Sequence, residues 1–254
     1  GKSLGKRPYG YSDFVYEITP NINYGTQNII SVRVDNSMQT NSRWYTGSGI
    51  YRHVWLIATN PVHIANYGIS VTTTDVSAAK ANVEVKTLLK NETNQPQNVQ
   101  LKIGLSNSSK KNSGSHQITV TLLANSEMQV VQNIVVAKPL LWSPETPNLY
   151  NAFVQVLHKN ESMDANKINF GIRSIKFTSE KGFQLNGKTI KLNGGCVHHD
   201  NGCLGAAAFD RAEERKVKNL KAAGFNAIRT AHNPPSIAFL NACDKLGMLV
   251  MDEA

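Results

Sequence analysis

The chain contains 254 residues, of which 41% are hydrophobic and 18% charged, and its formal net charge is +9. A chain of this length is expected to form two or three units, and its apolar content excludes an intrinsically disordered protein. No apolar run approaches the roughly 20 residues of a membrane-spanning helix, and Lys and Arg are scattered instead of forming a basic stripe. We therefore expect neither a membrane nor a nucleic-acid partner.

The cysteines Cys196, Cys203 and Cys243 all lie in the last quarter of the chain. Their number is odd, and their spacing matches neither a zinc site nor the disulfide framework of a small secreted domain. We interpret them as buried or half-buried thiols, and we expect no metal and no cofactor.

Residues 1–59 contain short strand-like stretches separated by clusters of Gly and Asn. The predicted strands are residues 9–11, 14–18, 29–34 and 51–58. Because so few strands do not close a β domain by themselves, we expect that their partner strands precede Gly1.

Residues 60–172 show a clearer alternation of apolar and polar side chains, which is typical of half-buried strands. The apolar positions of two such stretches are Val83, Val85 and Thr87, and Val99, Leu101, Ile103 and Leu105. Turn-forming segments separate the stretches at a spacing that predicts an all-β sandwich able to fold by itself.

The pattern changes after Gly171 to strands that alternate with helices. The predicted elements are a strand over 190–197, a helix capped by Asp210 with Glu213 in a capping box, a strand over 225–229, a helix opened by Pro235 and Ser236, and a strand over 248–251. Strand, helix, strand, helix, strand within so short a stretch predicts parallel βαβ units.

Polar side chains follow each of these three predicted strands. His198, His199 and Asp200 follow the first, residues 229–235 end the second, and Asp252 and Glu253 follow the third. Because the loops at the carboxyl ends of parallel strands meet at one edge of the sheet, we interpret these clusters as parts of one functional site.

Metal and nucleophilic hydrolysis are both disfavoured at this site. Adjacent histidines on an extended segment point to opposite sides, and the sequence contains no H-E-x-x-H helix that would place two ligands one turn apart. It also contains no G-x-S-x-G elbow for a serine nucleophile.

The strand-end segments resemble the signature of glycoside hydrolase family 2, the β-galactosidase and β-glucuronidase family of retaining hydrolases. The resembling stretches are NAIRTAHNPP at residues 226–235, CDKLG at 243–247 and VMDEA at 250–254, preceded by GIYRHVWL at 49–56, WSPETPNLY at 142–150 and FGIR at 170–173. The resemblance covers essentially the whole chain. Asn233 departs from the many members that carry Tyr at this position.

The resemblance implies a modular enzyme. Residues 1–59 would be the end of a sugar-binding-like β jelly roll, residues 60–172 an immunoglobulin-like β-sandwich, and residues 173–254 the first three strands of a (β/α)8 TIM barrel. In this family the two catalytic glutamates come from later barrel strands, so we expect an internal fragment of a β-galactosidase that lacks both and is inactive alone.

The resemblance also assigns roles to individual residues. His198 and His232 match the galactoside-contacting histidines, with Asp200 and Asn233 beside them. Arg43 and Trp44 lie in the loop before the GIYR segment, which reaches the active site in the family; some members carry there an Asp that binds the sugar or an ion, and Arg43 stands in this region instead. Arg229, Asp252 and Glu253 would brace the mouth of the site structurally.

Other readings stay open at this point. The alternatives within the family are a β-glucuronidase and a β-mannosidase. The alternative outside the family is a non-catalytic carbohydrate-binding or scaffold module. The expected partner is a β-galactoside carbohydrate, with a homo-oligomer as a further expectation. Resemblance to gut-bacterial members favours a periplasmic or secreted location.

Overall fold

The computed structural model describes residues 1–37, 48–207 and 209–253, which belong to two compact units. The first unit, which we call the strand-end unit, comprises Gly1–Val54, Gly194–Ala242 and Val250–Ala254. The second, the sandwich unit, comprises Trp55–Asn193 and Cys243–Leu249. None of the described helices is long and apolar enough to cross a bilayer.

Seven antiparallel strands build a two-layered sandwich, as the alternation predicted. They are β1 Val62–Thr74, β2 Lys80–Asn91, β3 Gln97–Asn107, β4 Asn112–Leu122, β5 Ser126–Ala137, β6 Tyr150–His158 and β7 Glu161–Phe170. One sheet has the order β1-β2-β5 and the other the order β4-β3-β6-β7. Val83, Val85, Leu101 and Ile103 are fully buried between them, because successive residues of a strand point to opposite faces.

A small antiparallel sheet follows the sandwich and consists of β8 Ile175–Thr178, β9 Gly182–Leu185 and β10 Lys188–Thr189. The strand predicted over residues 190–197 forms only over its second half, as β11 Gly194–Val197.

Trp142 ties several parts of the sandwich unit together. Its indole is buried and its Nε1 donates a hydrogen bond of 2.8 Å to the carbonyl of Asp244. The guanidinium of Arg173 lies 4.6 Å from the centre of the indole ring, and Asn186 Nδ2 donates to the Trp142 carbonyl at 3.0 Å. Burial lowers the pKa of Arg173 and raises that of Asp244, while the attraction between the two opposes both shifts. The WSPETPNLY segment is thus a structural anchor for the end of a helix.

The predicted alternation of strands and helices is confirmed. In chain order the elements are β11, α1 Asp210–Ala222, β12 Ala227–Thr230, α2 Ile237–Leu246 and β13 Leu249–Met251. The sheet has the order β11-β12-β13, and β11 and β12 are parallel, with Gly194 opposite Ala227 and Val197 opposite Thr230. Ser236 caps α2 as expected, since its Oγ accepts a hydrogen bond from the amide of Phe239 at 3.1 Å.

The capping box predicted at Asp210 is wrong. The helix begins at Asp210 itself, after the N-cap residue Phe209, and no side chain caps it. The Asp210 carboxylate lies 2.7 Å from His53 Nε2, and the side chain of Glu213 is buried in a different hydrogen bond. Both carboxylates therefore bind residues outside the helix, and they do not form the predicted capping box.

The strands predicted within residues 1–59 are also wrong for the part of that segment that the structure describes. Residues 1–37 and 48–59 contain a single 3₁₀ turn, Thr19–Asn21, and no strand. Ile29 and Trp55, which lie in two of the predicted strands, are 83% and 72% exposed. An alternating pattern forms a strand only where a neighbouring strand supplies hydrogen bonds, and no described strand pairs with these stretches.

The close pairing of β11 and β12 predicts opposite responses at two adjacent glycines. A Cβ at Gly194 would lie 1.9 Å from the carbonyl oxygen of Ala227, whereas a Cβ at Gly195 would meet nothing within 4 Å. We expect Gly194→Ala to lower the free energy of unfolding at β12 by about 1–3 kcal/mol or more, as for other overpacked sites, and Gly195→Ala to have little effect. Amide hydrogen exchange over β12 measures both, and equal protection in the two variants would contradict the prediction.

Candidate functional site

The carboxyl ends of β11 and β12 lie side by side, since Val197 and Thr230 are paired in register. The first histidine after β11 and the second residue after β12 therefore become neighbours. The rings of His198 and His232 are 6.1 Å apart between centroids and inclined by 74°. The structure thus brings together the two histidines that the sequence singled out.

Glu253, two residues after β13, contacts both Arg229 of β12 and His232. Its Oε1 accepts a short hydrogen bond from Arg229 Nε, and its Oε2 lies 2.9 Å from His232 Nδ1. Arg229 and Glu253 thereby form an ion pair.

The position of the proton on His232 follows from its partners. A carboxylate only accepts hydrogen bonds and a guanidinium only donates them, so Nδ1 cannot satisfy both neighbours. The Glu253 contact, at 2.9 Å, is shorter than the 3.4 Å contact with Arg229 Nη2 and is charge-assisted. We therefore place a proton on Nδ1, which donates it to Glu253 in a hydrogen bond.

The charges of this cluster are stabilised by one another. Partial burial opposes ionisation of Glu253, but the hydrogen bonds from His232 and Arg229 outweigh it and hold the pKa of Glu253 below its ordinary value. Hydrogen bonds to the Cys196 thiol and to Glu253 raise the pKa of Arg229. Glu253 is consequently an anion at neutral pH and a poor proton donor.

Thr230, at the end of β12, holds the residues that follow β13. Its side chain is buried, and its Oγ accepts a hydrogen bond of 3.1 Å from the amide of Glu253. The same hydroxyl lies 3.4 Å from Asp252 Oδ1 and from the carbonyl of Met251. Asp252 therefore lies beside the end of β12.

Helix α1 supports the loop that carries His198. Lys216 Nζ donates a hydrogen bond of 3.1 Å to the His198 carbonyl and lies 3.6 Å from the buried carboxylate of Glu213. Glu213 Oε1 also accepts a 2.6 Å hydrogen bond from Asn201 Nδ2. Sequence reasoning missed this support, because the spacing of Glu213 after Asp210 suggested a local cap.

The side chains of His199 and Asn233 are less exposed than that of His198. The His199 ring packs against Tyr11 and Tyr51 at centroid distances of 5.2 and 5.7 Å, and burial, reinforced by Arg52, lowers its pKa so that it is neutral. Asn233 is only 2% exposed. Asp200 follows His199 directly and is half-buried. Arg43 and Trp44 lie outside the described residues.

Arg52 is a site residue that sequence reasoning noted only as part of a family motif. Its Nη2 donates a hydrogen bond of 2.7 Å to the carbonyl of Pro234, directly after Asn233. The guanidinium also lies 5.0 Å from the centre of the Tyr51 ring. The sequence feature that could have indicated this contact is Arg52 itself, a charged residue in the otherwise apolar GIYR stretch.

The cysteines match the expectation only in part. Cys243 is buried as expected, whereas Cys196 and Cys203 are exposed. The side chain of Cys196 lies 3.4 Å from Arg229 Nη1. Within the described ranges, no group of three or more His, Cys, Asp or Glu side chains is arranged to hold a metal ion.

Two protein-family models match consecutive parts of this chain. A family model described as "Glycosyl hydrolases family 2" matches residues 62–173, and one described as "Glycosyl hydrolases family 2, TIM barrel domain" matches residues 175–254. The first model therefore covers the sandwich strands, and the second covers the strand–helix repeats. The chain belongs to glycoside hydrolase family 2.

Individual relatives agree with this assignment. The whole chain is 43% identical over 254 residues to β-galactosidase BoGH2A of Bacteroides ovatus and spans 30% of that protein. A crystal structure of a glycosyl hydrolase family 2 member from Bacteroides cellulosilyticus matches with a TM-score of 0.94 and 50% identity, over 97% of this chain and 34% of the other. Bacteroides uniformis β-glucuronidase 2, covalently bound to cyclophellitol-6-carboxylate aziridine, matches with a TM-score of 0.85 and 30% identity, over 92% of this chain and 30% of the other.

The lowered pKa of Glu253 predicts a pH-dependent effect of Glu253→Gln. Because the folded pKa lies below the unfolded value of about 4.3, the ionised carboxylate stabilises the strand-end unit above that pH, and this contribution is lost as the pH falls through the folded pKa. At pH 7 the variant should show lower protection factors over β12, and the difference from the parent chain should shrink near pH 3. Glu161→Gln, at an exposed position that starts β7, is the control and should change neither value. A difference that persists unchanged at pH 3 would contradict the prediction.

Proposed function

We propose that this chain is part of a retaining β-glycosidase that hydrolyses terminal β-D-galactosides, and that it supplies part of the sugar-binding wall and neither catalytic glutamate. The observation that carries the proposal is the pair His198 and His232 at adjacent strand ends, with His232 oriented by Glu253. The 43% identity to a β-galactosidase supports the choice of sugar. The chain spans about a third of the relatives it matches, so the activity belongs to a longer protein.

The state of Glu253 argues against a catalytic role for this residue. A retaining glycosidase needs one carboxyl group as nucleophile and a second as proton donor, about 5 Å apart. Both oxygens of Glu253 are occupied, one by Arg229 and one by His232, and its lowered pKa disfavours proton donation. Glu253 is better suited to fix the orientation of His232.

The histidines act on the sugar through hydrogen bonds. Its contact with Glu253 at Nδ1 fixes the orientation of the His232 ring, and an imidazole can form a hydrogen bond with a sugar hydroxyl. His198 lies against it, and Asp200, Asn233, Arg43 and Trp44 complete the proposed wall. Contacts that tighten as the sugar ring approaches an oxocarbenium-like transition state lower the barrier more than they strengthen ground-state binding.

The proposal includes the domain division of the longer enzyme. Residues 1–59 would end a jelly-roll domain, residues 60–172 would form an immunoglobulin-like domain, and residues 173–254 would begin an eight-stranded barrel. The two-sheet sandwich and the three-stranded sheet with its helices support the second and third parts.

β-Glucuronidase activity is the second candidate. Its support is the similarity to Bacteroides uniformis β-glucuronidase 2, at 30% identity and a TM-score of 0.85. The covalent ligand in that structure also agrees with a retaining mechanism, in which an enzyme carboxylate bonds to the sugar. Assaying the longer enzyme with nitrophenyl β-galactoside and nitrophenyl β-glucuronide separates the two candidates.

The 254-residue chain should not hydrolyse nitrophenyl β-galactoside. Loss of the general acid alone costs about 10²- to 10⁴-fold in rate, and the nucleophile would be missing as well. The measurement is the release of nitrophenol across the fractions of a size-exclusion run. Turnover that follows the protein peak and disappears in Glu253→Gln would overturn the assignment.

In the longer enzyme, His198→Ala and His232→Ala should each lower kcat/KM by at least about tenfold, the loss expected for a hydrogen bond that strengthens in the transition state. Both residues follow strand ends, so stability should fall far less than catalytic efficiency, as the melting temperature would show. His158→Ala, at the end of β6 in the sandwich, is the control and should leave kcat/KM unchanged. Near-normal kinetics with strongly reduced stability in both variants would favour a purely structural role.

A further inference from the structure

A small cavity lies within the strand-end unit, with about 10 Å³ of space for the centre of a water molecule. Arg52, His199 and Asn233 line it from three separate segments of the chain, and Phe239 of α2 closes part of its wall. A space of this size is about the smallest that holds one water molecule.

Each of the three polar residues has one buried atom without a hydrogen-bond partner. These atoms are Arg52 Nε, His199 Nδ1 and Asn233 Nδ2. The other such atoms in the described part of the chain belong to Thr87, Gln132 and Asn151 of the sandwich unit. Among the described residues of the strand-end unit, therefore, all unpaired buried side-chain atoms belong to residues around one cavity. Buried polar groups are rarely left unpaired, so this coincidence calls for a ligand.

The hydrogen-bonding capacity of the three atoms identifies the ligand. Arg52 Nε and Asn233 Nδ2 are donors, and they require an acceptor. His199 is neutral, because burial and Arg52 lower its pKa, so its Nδ1 is able to accept a hydrogen bond. A group that accepts two hydrogen bonds and donates one satisfies all three, and water is the smallest such group.

We propose that the cavity is a binding site for one water molecule that accepts hydrogen bonds from Arg52 Nε and Asn233 Nδ2 and donates one to His199 Nδ1. The site goes beyond the proposed function and does not depend on it. Arg52 is then a positioning residue: it holds the loop after β12 directly, through the Pro234 carbonyl at 2.7 Å, and holds the loop after β11 through the water. Both loops carry the histidines of the candidate site.

Crystallography of the 254-residue chain at about 1.5 Å resolution tests the proposal. The expected result is a single density peak within about 2.7–3.2 Å of all three atoms that refines as water. Crystals soaked in sodium bromide should show no anomalous signal in the cavity. An empty cavity would overturn the proposal, and a bromide peak would show that the site takes an anion instead.

A double-mutant cycle tests the same site in solution. His199→Phe keeps a ring against Tyr11 and Tyr51 but removes the acceptor, and Asn233→Ala removes a donor. Each should lower the melting temperature by about 2–4 °C, the shift that corresponds to one lost hydrogen bond in a chain of this size. The double variant should lose clearly less than the sum, because both substitutions release the same water.

The matched control combines His199→Phe with Asn98→Ala, at an exposed position of β3 in the sandwich unit, where the two effects should add. Additive losses for His199→Phe and Asn233→Ala would overturn the proposal. If the double variant does not fold, the crystallographic test of the unsubstituted chain still decides it.

Discussion

The parallel pairing of β11 with β12 is the constraint on which the candidate site depends. It places Val197 opposite Thr230, and every polar contact between the two strand ends follows from that register. The register in turn requires Gly194, since a Cβ at this position would lie 1.9 Å from the carbonyl oxygen of Ala227. A shift of one residue would turn each side chain of β11 to the opposite face of the sheet.

Around this pairing, polar groups orient the histidines from two sides. Glu253 fixes the proton of His232 on Nδ1 and is itself held by Arg229 and Thr230. Lys216 of α1 binds the backbone of His198. Such supporting contacts matter for catalysis because a displacement of about 1 Å at a binding group costs a large part of its transition-state stabilisation. Arg229 and Thr230 provide this support from β12, and Lys216 provides it from α1.

The sandwich unit has its own anchor. Trp142 is buried, bonded to the Asp244 carbonyl and covered by Arg173, so the segment between β5 and β6 is fixed to the end of α2. Gly247 fits the same contact, because a Cβ there would lie 2.3 Å from the Pro144 carbonyl oxygen. Packing, in addition to chain connection, thus joins the sandwich strands to the last turn of that helix.

The order of elements could be predicted from the sequence because it depends on local patterns. Alternation of apolar and polar residues predicted β2 and β3, and Pro235 and Ser236 predicted the start of α2. The general position of the site could also be predicted, because polar residues follow three predicted strands. Sequence did not reveal that Asp210 binds His53, that Glu213 binds Asn201, or that Asn233 is buried beside Arg52. Those contacts join residues from 12 to 181 positions apart, and only tertiary structure decides which partner a polar side chain meets.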